Sequence, residues 1–494
     1  MPAAPTLLAV DQGTTGTTCL VVGLDGTVLR RAYRGIPVRH PRPAWVEQDA
    51  EAIWDSVVAA VAEVTDGIEP PVALGITNQR ETVVVVERTT LRPVAPAIVW
   101  QCRRSAAICA EHRANGVEPL LRARTGLLLD PYFTATKIEW LLRGDPHLRA
   151  RAEAGELLAL TVDGFLVGRM SGGRTVAVDA SNASRTLLVD LATGEFADDL
   201  CAIFGIPPAM LPPVVDSSGP VAVTDPAALA GLRIPITGIA GDQQAALFGQ
   251  ACVVPGMAKA THGTGSFILV NAGTQSPPAP GRGLLGTVAW RIGGRLTWAL
   301  EGSILSTGSA LRWLRDGLGL FTSDDEIEPL ALSVADAGGV HFVPALAGLG
   351  APYWDPDARG AFLGLTAATT RAHLVRAAVE AIALRTRDVV EAMEAAGSPR
   401  LRELRVDGGA STMALLGDLQ AELLATPVAR AQTLETTAVG AAMLAALGAG
   451  LVGSVEEVAA TWRPGRRHEP PAATRPDAPY AAWREAVNRV RTAE

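Results

Sequence analysis

Asp11-Gln12-Gly13-Thr14-Thr15-Gly16-Thr17-Thr18 sets one carboxylate before a run of glycine and threonine, directly after the apolar segment Leu7–Val10. In such a turn the backbone N–H groups and threonine hydroxyls form a concavity that holds an anion without help from lysine. Asp11 at its mouth suits Mg²⁺, which favours one or two carboxylates combined with phosphate oxygens. A similar turn recurs as Thr261-His262-Gly263-Thr264-Gly265-Ser266, and Asp407-Gly408-Gly409 makes a third after Leu404-Arg405-Val406. One such turn is a plain hairpin more often than a site, but three in one chain point to phosphate chemistry. Asp242 follows the apolar stretch Ile236–Ala240. It could take a proton from an attacking hydroxyl or cap the helix that begins there; position alone does not choose. Arg80 and Glu81 close the segment 73–81, strand-like and then polar, and Trp100 stands directly after an apolar segment. They are the types a small polyol needs: arginine and glutamate for its hydroxyls, an aromatic face for its carbon skeleton. Tyr132 and Phe267, taken singly, read as core residues.

Other chemistries are excluded by what is missing. Lys137 and Lys259 are the only lysines among 43 basic residues. Neither follows a glycine, so no G-x-x-x-x-G-K-[ST] phosphate loop exists, and the strand lysine of protein kinases is absent too. With 51 acidic residues the net charge is −8, leaving no basic surplus for a nucleic-acid partner. The cysteines, Cys19, Cys102, Cys109, Cys201 and Cys252, fit no zinc spacing and read as reduced thiols of a cytoplasmic protein.

The elements that must position these residues follow from periodicity. Leu7–Val10 and Cys19–Val22 read as strands around the first turn, so its glycines join two strands instead of opening a helix as a dinucleotide fingerprint does. Phe267–Val270 follows the second turn in the same way, and two such hairpins about 250 residues apart predict a duplicated fold with two similar lobes. Helical spacing marks Asp49–Glu63, Leu374–Ala395, Ala414–Leu424 and Ala438–Leu447. Strands interleaved with helices predict an α/β class with mixed sheets, the lobes dividing near residues 245–260 into 1–250 and 251–494. Pro207–Pro213 and Pro277–Pro280 read as loops, and the tail from Arg463 as a loop before a short helix. Ala438–Val452 is too short for a membrane span; its alanines and glycines suit a buried helix pressed closely on a neighbour.

Longer stretches carry a resemblance: Val10–Thr15, GITNQRET at 75–82, IVWQCRR at 98–104, YFTATKIEWL at 132–141, GIAGDQQAALFGQ at 238–250, GLGAPYWDPDARG at 348–360 and Arg405–Ala410. In these the chain resembles the FGGY family of carbohydrate kinases from Leu7 to about Arg484, and within it the members that phosphorylate glycerol. The resemblance implies the two-lobed, actin-like (ribonuclease H-like) ATPase fold with an interlobe cleft. It also implies the reaction of MgATP with glycerol to give ADP and sn-glycerol 3-phosphate. Carried over residue by residue, the polyol pocket is Arg80, Glu81, Trp100, Tyr132, Asp242, Gln243 and Phe267. Asp242 is then the general base and Asp11 the carboxylate beside Mg²⁺. Thr14, Thr15, Gly16, Thr18, Thr264, Gly308, Arg312, Gly409 and Met413 fall on the nucleotide side. The family further implies a homodimer or homotetramer, with no membrane span.

Three nucleotide-side positions depart from the family pattern: Thr18 where arginine is usual, Arg312 where glutamine is usual, and Met413 where asparagine is usual. Arg312 is the candidate to replace the charge missing at Thr18. Two alternatives follow: a kinase for another polyol or a ketose, and a glycerol-binding protein with a weakened ATP site.

Overall fold

The computed structural model describes residues 4–275, 280–281, 283–472 and 474–492. Thirteen strands form one large mixed sheet, and they are labelled here with the helices that position the site. Strands β1 (Thr6–Gln12), β2 (Gly16–Gly23) and β3 (Val28–Gly35) make an antiparallel meander. Helix α1 (Ala50–Thr65) starts where Asp49 accepts a hydrogen bond from the Glu51 N–H at 3.0 Å. It lays Ile53, Val57, Ala60, Val61 and Val64, a stripe at helical spacing, into the core beside β2 and β3. Strand β4 (Ala73–Asn78) runs parallel to β1; β5 (Ser218–Val223) and β6 (Pro235–Gly241) follow, with β6 parallel to β4.

Helix α2 (Asp242–Gly249) leads into the second half. There β7 (Met257–His262), β8 (Ser266–Gly273), β9 (Leu285–Ile292) and β10 (Arg295–Ile304) are followed by α3 (Gly308–Asp316) and the long α4 (Arg371–Ala395). The remaining elements are β11 (Glu403–Asp407), α5 (Ala414–Leu424), β12 (Val428–Ala431), α6 (Thr436–Gly448) and β13 (Pro464–His468). The order β3-β2-β1-β4-β6 of the first half is repeated as β10-β8-β7-β11-β12 in the second. The expected duplication is therefore present in the topology. The halves meet in the sheet where β9 touches β5 through the single pairing Ser218↔Ile292.

The Ala/Gly-rich stretch is α6, buried along nearly its whole length as its composition predicts. It belongs to the second half of the chain but packs on β4, β6 and α2 of the first. A Cβ on Gly75 would lie 2.1 Å from the Ala441 carbonyl oxygen, and one on Gly440 would lie 1.9 Å from that of Ala245. Only glycine lets these backbones approach so closely.

The tail departs from its expected loop. Pro464–His468 adds an edge strand to β12 before the helix Asp477–Asn488. Its arginines show no apolar alternation, which hid the strand from the periodicity argument; Arg467 binds Glu403 and Glu469 instead, as edge strands often carry charge. A three-residue helical turn, Pro208–Met210, interrupts the expected loop at 207–213, and most of Pro277–Pro280 lies outside the described residues. A smaller sheet of Glu47–Gln48, Ala97–Ile98, Val83–Glu87 and Leu157–Thr161 carries the segment bearing Trp100. Among the described residues no helix is long and apolar enough to cross a membrane.

Candidate active site

Three parallel strands end level with one another: Gln12 pairs with Asn78, and Asn78 with Gly241. The residues at their carboxyl ends, Asp11, Arg80 with Glu81, and Asp242, are thus delivered to one edge of the sheet, where open α/β sheets bind ligands. Glu81 adopts φ 60°, a left-handed conformation that a non-glycine residue holds only when its surroundings impose it. Arg80 and Glu81 are buried.

A chain of alternating charges runs through the site. Arg80 Nε lies 3.1 Å from Asp242 Oδ1, and Arg80 Nη1 donates to Glu301 Oε2 at 2.5 Å. Arg185 donates to the other Glu301 oxygen at 3.0 Å and to Glu81 Oε1 at 2.6 Å. Burial opposes ionisation of Glu301, but Arg185 and Arg80 hold its carboxyl down to about 2. Glu81 is raised by burial against the pull of the same two arginines. Asp242 is also raised, by burial first, with Arg80 and Lys259 pulling it back. Its Oδ1 accepts the Gln243 N–H at 2.7 Å, and its side chain keeps 31% exposure. Asp242 therefore has access to a substrate while its charge is fixed from behind.

The aromatic residues gather beside this chain. Trp100 and Tyr132 meet edge to face with centroids 5.6 Å apart, and Trp100 Nε1 donates to Thr14 Oγ1 at 2.9 Å. Lys137 is buried beneath them, donating to the carbonyls of Tyr132 and Glu81 at 2.5 and 3.0 Å. Phe267, half-buried on β8, pairs with Thr261 and Ser303. Lys259 donates to Gln243 Oε1 and, at 3.0 Å, to Thr261 Oγ1. Burial lowers both lysines to about 8. The polyol-side candidates are thus one neighbourhood.

The three glycine turns differ in support. In the first, Gly13 N–H donates to the Gly16 carbonyl at 2.9 Å, and Gln48 Nε2 donates to the Thr14 carbonyl at 2.6 Å. The second is tied to the start of α3, whose Gly308 and Ser309 N–H groups donate to the carbonyls of Gly263 and Thr264. The third neighbours the second because Thr261 pairs with Asp407. There Gly408 has φ +85°, and a Cβ on it would lie 2.5 Å from the His262 carbonyl oxygen. Asp407 Oδ2 accepts from Gln250 at 2.8 Å and Thr436 at 2.5 Å, tying this turn to α2 and α6.

Thr18 pairs with Asp11 across β1 and β2. Arg312 lies exposed on α3, on the other half of the molecule. Met413 is buried among Leu415, Leu416 and their apolar neighbours. Arg185 and Glu301 escaped the sequence reading. The one available signal was a charge inside apolar surroundings, as in Trp298-Ala299-Leu300-Glu301. Asp11 is raised to about 8 by burial, then by the carboxylates of Asp242 and Glu435. No cluster of three or more His, Cys, Asp or Glu side chains able to hold a metal occurs among the described residues.

A duplicated α/β sheet with a carboxylate and a Gly/Thr turn at its strand ends has the architecture of the two-lobed sugar kinases. Family models agree: residues 6–249 match the N-terminal domain and 258–449 the C-terminal domain of the FGGY family of carbohydrate kinases. The chain belongs to that family. It is 51% identical over 488 residues to a glycerol kinase of Dechloromonas aromatica, covering 98% of this chain and 97% of the relative. A glycerol kinase of Stenotrophomonas maltophilia is 49% identical, with 97% of both chains covered. Among solved structures, Plasmodium falciparum glycerol kinase with ADP superposes with a TM-score of 0.92 at 30% identity, covering 99% of this chain and 98% of that one. Xylulose kinase from Rhodospirillum rubrum gives 0.87 at 27%, covering 98% of each.

Proposed function

We propose that this protein transfers the γ-phosphoryl group of ATP to glycerol, releasing ADP and sn-glycerol 3-phosphate. The observation that carries this reading is Asp242, part-exposed and held at 3.1 Å by Arg80, whose Nε also lies 4.0 Å from Glu81. Arg80 and Glu81 supply the donor and acceptor for vicinal hydroxyls, and the Trp100–Tyr132 corner supplies an apolar wall for a three-carbon backbone. Near-50% identity to glycerol kinases over almost the whole chain supports this substrate over a ketose.

Asp242 takes the proton of the terminal hydroxyl as that oxygen attacks phosphorus; its raised pKa makes it a better base than a solvated aspartate. Arg80 keeps the carboxylate ionised and aimed until the proton arrives. The turns at Thr14-Thr15, Thr264 and Gly408-Gly409 bind the phosphates through backbone N–H groups and hydroxyls. Asp11, with Asp242 near it, fits a divalent cation such as Mg²⁺, since two neighbouring, partly buried carboxylates are relieved by positive charge. That ion neutralises phosphate charge when bound.

The test is ADP release with MgATP, with and without glycerol, in the native protein and in Asp242→Asn. Turnover that needs glycerol and falls at least about a hundredfold in the variant is expected. Absence of turnover while glycerol still raises the melting temperature would make the protein a glycerol-binding protein. Faster turnover on xylulose than on glycerol would overturn the substrate.

A further inference from the structure

Tyr33 lies outside the set of residues that sequence motifs single out, yet its hydroxyl and its ring both contact the first phosphate turn. It sits on β3 opposite Thr18, which in turn pairs with Asp11, so the three are cross-strand neighbours on one face of the sheet. Its hydroxyl donates to the Thr15 carbonyl oxygen at 3.1 Å, the same oxygen that accepts the Ile36 N–H at 2.9 Å. Its ring lies against Gly16: a Cβ there would come within 2.5 Å of Tyr33 Cζ. A side chain at residue 16 and the Tyr33 ring therefore exclude one another.

The bonds around the turn share one sense. The Thr14 carbonyl is held by Gln48, the Gly13 carbonyl by Gln12 at 2.7 Å, and the Thr15 carbonyl by Tyr33. A turn whose carbonyls are bound from behind presents N–H groups, not oxygens, to an anion. Beside Tyr33, Thr18 is neutral, Arg31 on the same face pairs with Glu435 at 2.7 Å, and Arg34, on the opposite face, pairs with Glu63.

We infer that Tyr33 is a positioning residue for the nucleotide, fixing the phosphate turn by its hydroxyl and by packing on Gly16, so that the turn binds phosphate by geometry and not by charge. This rests on the phosphotransferase reading above.

The experiment compares the full-length protein with Tyr33→Phe and Tyr33→Ala, measuring steady-state constants and MgADP affinity by calorimetry. Tyr33→Phe, which keeps the ring, is expected to raise the KM for ATP and the Kd for MgADP about three- to tenfold. Its kcat and KM for glycerol should stay within about twofold, and Tyr33→Ala should lose more nucleotide affinity than Tyr33→Phe. The Tyr33→Phe ratio should be the same at about 50 mM and about 300 mM salt, because a lost neutral hydrogen bond is not screened as a lost ion pair is. Unchanged nucleotide constants in both variants, or a parallel rise in the KM for glycerol, would overturn the inference while leaving the kinase reading intact. A native protein that neither binds MgADP nor turns over would overturn both.

Discussion

At the scale of single residues, what was legible in the sequence was type and immediate context. Asp11 and Asp242 stand just past apolar runs and Arg80 and Glu81 in the polar stretch that closes a strand, so their polarity stood out, and the level strand ends brought them together. Arg185 and Glu301 were not legible because their meaning lies in a pairing across 116 residues that no local pattern encodes. His262 is a similar case. Its Nδ1–H faces Ser266 Oγ at 2.8 Å, its Nε2 accepts from Gln420 Nε2 at 3.0 Å, and burial lowers it to about 4. The unfolded chain protonates this imidazole near its ordinary 6.5, the folded chain only near 4, so the unfolded state binds the proton first as pH falls. Stability is therefore lost between those two values, by about 3 kcal/mol in all, and rises with pH through the same window. Urea unfolding at about pH 7 and about pH 4.5 should show that His262→Asn loses roughly 2 kcal/mol less on acidification than the native protein. Equal losses would mean that the imidazole is not held neutral.

At the scale of elements, periodicity worked where one face was apolar and failed where charge replaced it. The helices α1, α4, α5 and α6 lie close to their expected spans, whereas the arginine-bearing β13 is recognisable only once β12 stands beside it. Composition also foretold how α6 packs. Its Gly440 backbone rests on α2, the helix that begins at Asp242, so this contact sets how the helix bearing the proposed general base sits on the sheet. A methyl group there would have to push backbone aside, and overpacking of this kind costs about 1–3 kcal/mol. Gly440→Ala should lower the free energy of unfolding by that amount and reduce kcat, since α2 must shift to make room. Gly144→Ala, at the end of the helix Thr134–Gly144 with open space around it, is the control and should leave both unchanged. A neutral Gly440→Ala would mean that the helices can slide apart without affecting the site.

At the scale of the whole molecule, the two halves are joined by buried polar chemistry as well as by apolar packing, and the scarcity of lysine exposes this to measurement. Arg80 of the first half meets Glu301 of the second, and Lys259 of the second meets Gln243 beside Asp242. Lys137 and Lys259, the only two lysines of the chain, are both fully buried. Every exposed cationic side chain is thus an arginine or a histidine, and amine-reactive labelling of either lysine requires the protein to open. The lowering of both groups to about 8 belongs to the buried state; a lysine that opening exposes regains its ordinary value and reacts as any solvated amine does. Mass spectrometry of the native protein after brief acetylation should therefore find both lysines untouched, with both reacting in denaturant. Glycerol with MgADP binds across the halves in the proposed function, so saturating amounts should slow Lys259 labelling in proportion to the ligand's stabilisation of the closed form. Because Lys137 lies within the first half, beneath Tyr132, its labelling should slow less if the halves separate before either unfolds. Equal slowing of the two would show instead that the molecule opens only by unfolding as a unit.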